Sequence, residues 1–152
     1  MNMLIAAFAL FAATSTPTGF TDDLDAAFKD AAKSGKCVYA CFSGSDWCGW
    51  CVKLEREVFS KPEFLKAVTN DYVLVFVDTP RDRSLLSDRA KAENPKLVAK
   101  YGIQGFPTAV VFDSTGKEIA RTGYRRGGPE AYAGHLGEIR AEAKKPRSSP
   151  SK

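Results

Sequence analysis

Two cysteines three residues apart, Cys48 and Cys51, stand inside the run Ser43-Gly44-Ser45-Asp46-Trp47-Cys48-Gly49-Trp50-Cys51. On the first turn of a helix, positions i and i+3 share a face with Cα atoms roughly 5 Å apart, inside the window that a disulfide tolerates. The free N–H groups at a helix start, together with the helix dipole, favour a thiolate over a thiol. A pair placed there can cycle between dithiol and disulfide with little backbone movement, which is the chemistry of thiol–disulfide exchange.

The flanking sequence supplies the elements that such a placement needs. Residues 37–42 (CVYACF) are almost wholly apolar and predict a buried strand before the motif. After it, Val52, Leu54, Val58 and Phe59 recur near helical spacing among Lys53, Glu55, Arg56 and Glu57. Upstream, Thr21 is placed as an N-cap with Asp22 and Asp23 in the first turn; Leu24, Ala27, Phe28 and Ala31 form one apolar stripe, and Gly35 ends the helix. Downstream, Ser60-Lys61-Pro62-Glu63 predicts a second helix start, with Phe64, Leu65 and Val68 on its apolar side. The run 72–77 (YVLVFV) predicts a strand buried on both faces, hence parallel and central. Residues 79–95 are charged and mixed and predict a solvated surface segment; 96–101 predicts a helix ended by Gly102. Residues 108–112, a turn at 113–116 and residues 117–121 predict a hairpin, and 129–143 a closing helix. The whole is an α/β protein: a central mixed sheet with parallel strands at 37–42 and 72–77, an antiparallel hairpin, and helices on both faces.

With 152 residues, 44% of them hydrophobic, the chain is one domain that can bury a core without a disulfide framework. The net charge of +4 is concentrated at one end, where Lys144, Lys145, Arg147 and Lys152 face only Glu142. Residues 144–152 are therefore expected to form a basic disordered tail, and the near-neutral body argues against a nucleic-acid partner. Residues 3–13 (MLIAAFALFAA) carry no charge; eleven residues are too few to span a bilayer, which takes about 20, and they fit the apolar stretch of a secretory signal with small residues after it. Residues 1–19 are thus expected to be signal peptide and linker, the folded domain to cover 20–143, and the protein to be periplasmic or secreted, without stable membrane insertion.

Three features in order carry a resemblance to the thioredoxin superfamily over about residues 20–143: Trp47-Cys48-Gly49-Trp50-Cys51 after a buried strand, Tyr101-Gly102-Ile103-Gln104-Gly105-Phe106-Pro107-Thr108 before a hairpin strand, and Gly123-Tyr124 after the last strand. The long cysteine motif and the extended 79–95 segment look most like exported bacterial thioredoxin-like proteins. The resemblance implies a thioredoxin fold with Cys48 as attacking nucleophile and Cys51 as resolving thiol. It implies that Pro107 is the family's cis-proline, leaving the backbone of Phe106 free to bind an extended substrate strand. Trp47, Gly49, Trp50, Phe106, Pro107, Gly123 and Tyr124 would line the substrate groove. It implies no cofactor and no metal, a monomer, and as partners protein disulfide or dithiol substrates plus an electron-donor protein.

The chain departs from the family at two points. The buried acid that thioredoxins carry six residues before the first cysteine is Phe42 here, leaving Asp46 or Glu55 as substitutes for the proton acceptor. The dipeptide between the cysteines is Gly49-Trp50, without a histidine, which argues for a moderately lowered thiol pKa and a reducing or intermediate potential. Reduction or isomerisation of protein disulfides is the function expected; a thiol oxidase of the same fold, or a binding or chaperone module with a structural disulfide, are the alternatives. Cys37 and Cys41, four apart on one strand and so roughly 13 Å from each other, are expected to be buried free thiols, not zinc ligands. His135 is expected at the surface, and Asp78 is either on the catalytic side or a strand cap.

Overall fold

The strand before the cysteine motif, β1 (Cys37–Ser43), is buried along its whole length, and the alternation of its side chains builds the two layers of the protein. In the computed structural model, which describes residues 14–145, Cys37, Tyr39 and Cys41 point to one face. There they meet Leu54, Val58, Phe59, Phe64, Val68, Tyr132 and Leu136. Val38, Ala40 and Phe42 point to the other face, with Leu24, Ala27 and Ala31 and the half-buried Leu97 and Val98. The helices thus divide between the faces: α2 (Gly49–Leu54), α3 (Pro62–Val68) and α5 (Gly128–Lys144) on the first, α1 (Leu24–Ser34) and α4 (Asp88–Lys100) on the second.

The sheet has four strands in the order β2-β1-β3-β4. β2 (Tyr72–Asp78) runs parallel to β1, with Cys37 opposite Tyr72 and Ser43 opposite Asp78. β3 (Thr108–Phe112) is antiparallel to β1, and β4 (Glu118–Thr122) is antiparallel to β3. The parallel pair and the hairpin agree with the sequence. The central position expected for 72–77 does not, because β2 lies at the end of the strand order. Its apolar run is buried on both faces all the same, and Thr21 shields its outer edge: Thr21 N–H donates to Leu74 O (2.9 Å), and Phe76 N–H to Thr21 O (2.8 Å).

That role displaces Thr21 as helix cap. Asp23 caps α1 by accepting from Ala26 N–H (2.9 Å), and Thr21 Oγ1 accepts from Asp23 N–H (3.1 Å). Ser60 is no cap either; its hydroxyl donates back to Arg56 O (3.0 Å), and α3 begins at Pro62 without a side-chain cap. The cysteine helix continues past Leu54 as a π-helical turn, Glu55–Phe59, closed by Ser60 N–H to Glu55 O (2.9 Å). Its last two residues, Val58 and Phe59, are both buried, and the Phe59 ring packs against Phe20, Tyr39, Phe64, Phe76 and Tyr132.

The largest departure from the sequence expectation is α4, which starts at Asp88 under a Ser87 cap (Ala90 N–H to Ser87 Oγ, 3.1 Å) and passes through Pro95. A proline inside a helix leaves the carbonyl four residues earlier without its donor. Here that carbonyl belongs to Lys91, and the Arg83 guanidinium supplies the missing hydrogen bond (2.7 Å) from a 3₁₀ turn at Arg83–Leu85. α5 reaches Lys144, the first residue assigned to the tail. The apolar run 3–13, read as a signal, and residues 146–152 lie outside the described residues.

Candidate active site

The loop from β1 to α2 carries the motif, and its polar groups are tied to the residues that follow β2. Asp78, buried at the end of β2, accepts from Ser45 N–H (2.9 Å) and from the Ser45 hydroxyl (2.5 Å). Thr79 donates through both its N–H and its hydroxyl to Ser43 O (2.8 Å each). Asp46 accepts from Arg81 N–H and Asp82 N–H (2.9 Å each). The Trp47 indole N–H donates to Thr79 O (2.8 Å), standing the ring edge-on to Phe106 at 5.5 Å. Gly44 N-terminal to this turn accepts from Cys48 N–H (2.8 Å) and lies directly under the Trp47 ring.

Cys48 itself is the N-cap of α2. It is disulfide-bonded to Cys51, with Cα atoms 5.2 Å apart, and its Sγ accepts from Cys51 N–H at 3.2 Å. A donor aimed at that sulfur favours negative charge there once the bond is reduced. Cys48 is 7% exposed and Cys51 3%, so the pair sits just under the surface with Cys48 the outer member. Exposed aromatics frame it: Trp47 at 40% and Trp50 at 52%. Trp50 lies 5.0 Å from the Tyr124 ring, and the Tyr124 hydroxyl donates to Glu57 (2.6 Å), which raises the Tyr124 pKa.

The Phe106–Pro107 bond is cis. The loop that carries it is held from below. A Cβ on Gly123 would stand 3.0 Å from Pro107 O, so Gly123 is there for close backbone approach. Gly123 O in turn accepts from the Tyr132 hydroxyl (3.0 Å), which accepts from the buried Tyr39 hydroxyl (2.8 Å). Phe106, Pro107, Gly123 and Tyr124 are half-buried, and Gly49 is exposed.

Of the two carboxylates considered as substitutes for the missing acid, Asp46 is unsuitable. It is surface-exposed, both its oxygens hold backbone N–H groups, and the Asp82 and Arg81 N–H groups push its pKa down. Glu55 differs: half-buried one turn beyond Cys51, its pKa is pushed up by burial and then by the Asp78 charge. It lines a cleft of about 670 Å³ together with Ser45, Asp46 and Phe59. Phe42, at the family's acid position, is fully buried against Tyr101. Cys37 and Cys41 are free and buried; burial raises both thiols, Cys41 to about 12. His135 is half-buried, not a surface ornament. Its Nε2 pairs with Thr122 Oγ1 (2.9 Å), tying α5 to β4, and burial lowers its pKa. Asp78, which the sequence left undecided, is the buried clamp of the motif loop, and the signal for it was an acid directly after an unbroken apolar run.

Residues 24–137 match a family model described as a thioredoxin-like domain. The chain is 33% identical over 106 residues to the "Disulfide bond reductase DsbH" of Chlamydia pneumoniae, a match covering 70% of this chain and 63% of that protein. It is 32% identical over 118 residues to the "Thiol:disulfide interchange protein DsbD" of Cronobacter sakazakii, covering 76% of this chain and 18% of that protein. The match thus spans less than two thirds of either relative's length. A solved "DsbH Oxidoreductase" superposes with a TM-score of 0.72 at 26% identity, covering 91% of this chain and 94% of that one. A thioredoxin from Thermus thermophilus superposes with a TM-score of 0.57 at 24% identity, over 80% of this chain and 85% of that one, and shares the fold. The sheet and helices described above are a thioredoxin fold.

The two glycines of the motif should respond oppositely to the same change. A Cβ on Gly44 would overlap the Trp47 indole, whereas one on Gly49 meets nothing within 4 Å. Gly44→Ala should expel Trp47 from Thr79, shift tryptophan emission to the red and cost about 1–3 kcal/mol in denaturant titrations. Gly49→Ala should leave stability unchanged or raise it by up to about 1 kcal/mol, since alanine is the better helix former.

Proposed function

The chain belongs to the thioredoxin-like domain family, and on that premise we propose that it is a thiol–disulfide oxidoreductase that reduces disulfides of other proteins through Cys48 and Cys51. The observation that carries this is the Cys51 N–H aimed at Cys48 Sγ at a helix start, between two exposed tryptophans. In the reduced protein, the Cys48 thiolate attacks one sulfur of a substrate disulfide. That S–S bond breaks, the distal sulfur leaves as a thiolate, and a mixed disulfide joins Cys48 to the substrate. Cys51 then gives up its proton and attacks Cys48 Sγ, releasing the second substrate thiolate and forming the Cys48–Cys51 disulfide. Two electrons pass to the substrate, and a donor dithiol must return them. Trp47, Gly49, Trp50, Phe106, Pro107, Gly123 and Tyr124 form the substrate surface. The absence of a histidine between the cysteines, and the reductase name of the Chlamydia relative, support reduction over oxidation. A measured potential near those of reductive thioredoxins, with insulin reduction, is expected; a potential near that of a strong oxidant would move the protein to the oxidase class.

Cys48→Ser should abolish insulin reduction, whereas Cys51→Ser should accumulate mixed disulfides detectable by non-reducing electrophoresis. Faster alkylation of Cys51 than of Cys48 in the reduced protein would reverse the two roles.

Glu55 is the carboxylate we assign to receive the Cys51 proton, and its environment sets a sign that can be measured. A carboxyl whose folded pKa lies above its unfolded value favours the fold while protonated, and that contribution is lost as pH rises through the folded value. Glu55→Gln should therefore be more stable than wild type at pH 7, with the gain fading as the pH falls to about 4. The same variant should slow the resolving step at pH 7 and recover at alkaline pH, where Cys51 ionises unaided. An unchanged resolving step would remove Glu55 from the mechanism.

The site of action we infer is the periplasm or the exterior. The apolar run 3–13 supports export, and no helix among the described residues is long and apolar enough to cross a membrane. Mass spectrometry of protein from its native host should find a chain beginning near Thr16; an intact Met1 on a cytoplasmic species is the contrary result.

A further inference from the structure

Charge is distributed unevenly around the dithiol. On the Trp47 flank, the Arg81 charge lies near Asp46, and the Arg83 guanidinium is turned to the Lys91 carbonyl. On the Trp50 flank, Lys53 Nζ lies over both the Trp50 and Tyr124 rings, at 5.1 and 5.3 Å. Arg56 is 71% exposed, and Arg125 and Arg126, directly after Tyr124, are both exposed. Arg126 and Arg56 both stand near enough to Tyr124 to act on its phenol. A single carboxylate, Glu57, serves this group: Lys53 is 4.0 Å and Arg56 3.9 Å from it, and it also accepts from the Tyr124 hydroxyl. Among the described residues, neither Arg125 nor Arg126 has a carboxylate within ion-pair distance. Three cations and one anion thus surround the exposed Trp50 and the half-buried Tyr124, while Arg125 acts instead on Tyr132 and His135, in a chain whose net charge is only +4 and lies largely in its tail. Two cations next to each other and unpaired repel, and the fold gains nothing from holding them there. An aromatic platform flanked by arginines, one of them unpaired, is, by contrast, a common composition for the centre of a protein contact.

We propose that the Trp50–Tyr124 flank, with Lys53, Arg56 and Arg126, is the docking surface for a partner protein that carries aspartate or glutamate beside its reactive disulfide. The proposal rests on the redox assignment of Cys48 and Cys51 and adds the partner's chemistry to it. The aromatic rings contact the partner chain next to its disulfide, while the arginines draw in and orient its carboxylates, so that selection acts mainly on the rate of encounter.

The test uses the reduced full chain and disulfide-bonded peptides identical except for two flanking positions, Asp-Glu or Lys-Lys, with a small uncharged disulfide as the reference in every protein. Relative to that reference, the acidic peptide should be reduced about tenfold faster than the basic one in low salt, and the ratio should fall towards one in 0.5 M salt. Arg56→Glu/Arg126→Glu should invert the preference. Equal rates for the two peptides in low salt, or a preference that survives the double substitution, overturns the proposal. Cysteine-free serine versions of the same peptides, titrated against tryptophan fluorescence, separate this surface from the chemistry. Failure to reduce even the uncharged disulfide, with tighter binding of the acidic serine peptide retained, would sink the redox assignment and leave the surface standing. Vesicles containing phosphatidylglycerol form the last arm. Binding to them that is lost in the double variant, without discrimination between the peptides, would reassign the patch to an anionic membrane surface and overturn the proposal.

Discussion

The site depends first on a buried carboxylate. Asp78 ends β2 directly opposite the end of β1 and holds Ser45 by backbone and side chain together. A carboxylate out of water is costly unless its oxygens are taken up by donors, and the motif loop provides those donors. The exchange fixes the loop at its first turn. Thr79, Arg81 and Asp82 then fasten the rest, so the chain enters α2 from a defined direction and Cys48 falls on the N-cap. The donor on Cys48 Sγ follows from that placement, since N-cap side chains accept from the N–H groups of the first turn.

The second half of the site is fixed from the core. Tyr39 on β1 donates to Tyr132 on α5, which donates to Gly123, and Gly123 packs on the carbonyl of Pro107. Both hydroxyls are buried and both are satisfied, so the chain of bonds adds geometric specificity to the aromatic packing around it. The rim residues Phe106 and Tyr124 sit on either side of this chain. Tyr124 packs on the layer that buries Phe59 and Phe106 on the opposite layer, so the rim is fixed from both faces of the sheet.

The parts of this architecture legible in the sequence were those with a local cause. The unbroken apolar run 37–42 marks a buried strand, the Cys48–Cys51 spacing on a strand-to-helix junction is itself the chemistry, and the 113–116 turn compels the hairpin. The missed parts share a different feature: a distant residue satisfied a local rule that the sequence broke. Pro95 breaks a helix by itself, and α4 persists because Arg83 bonds the Lys91 carbonyl. An apolar strand belongs in the middle of a sheet, and β2 occupies an end because Thr21 bonds its outer edge. Asp46 reads as a reactive acid beside a cysteine, and it is consumed by two backbone N–H groups some 35 residues along the chain. Asp78 could be placed at a strand end but not assigned a partner, because Ser45 offers no pattern that marks it as one.

The absence of an acid at Phe42 then becomes intelligible as a redistribution of the site's electrostatics. That position points to the face occupied by α1 and α4, where Phe42 fills the core beside Tyr101 and a charge would have no donor. On the other face a half-buried carboxylate, Glu55, follows Cys51 by one turn in the chain, acts on the Cys41 thiol and shares a cleft with Ser45. Burial, and after it the charge of Asp78, makes its charged form expensive, so the surroundings of the motif loop favour a proton on Glu55. On the outside the sign reverses. Lys53, Arg56 and Arg126 favour negative charge in their neighbourhood, whether on an approaching partner or on the thiolate that exchange releases. In the exchange proposed for Cys48 and Cys51, proton affinity within and cation density without would both favour the conversion of thiol to thiolate, with neither a histidine nor the family's buried acid taking part.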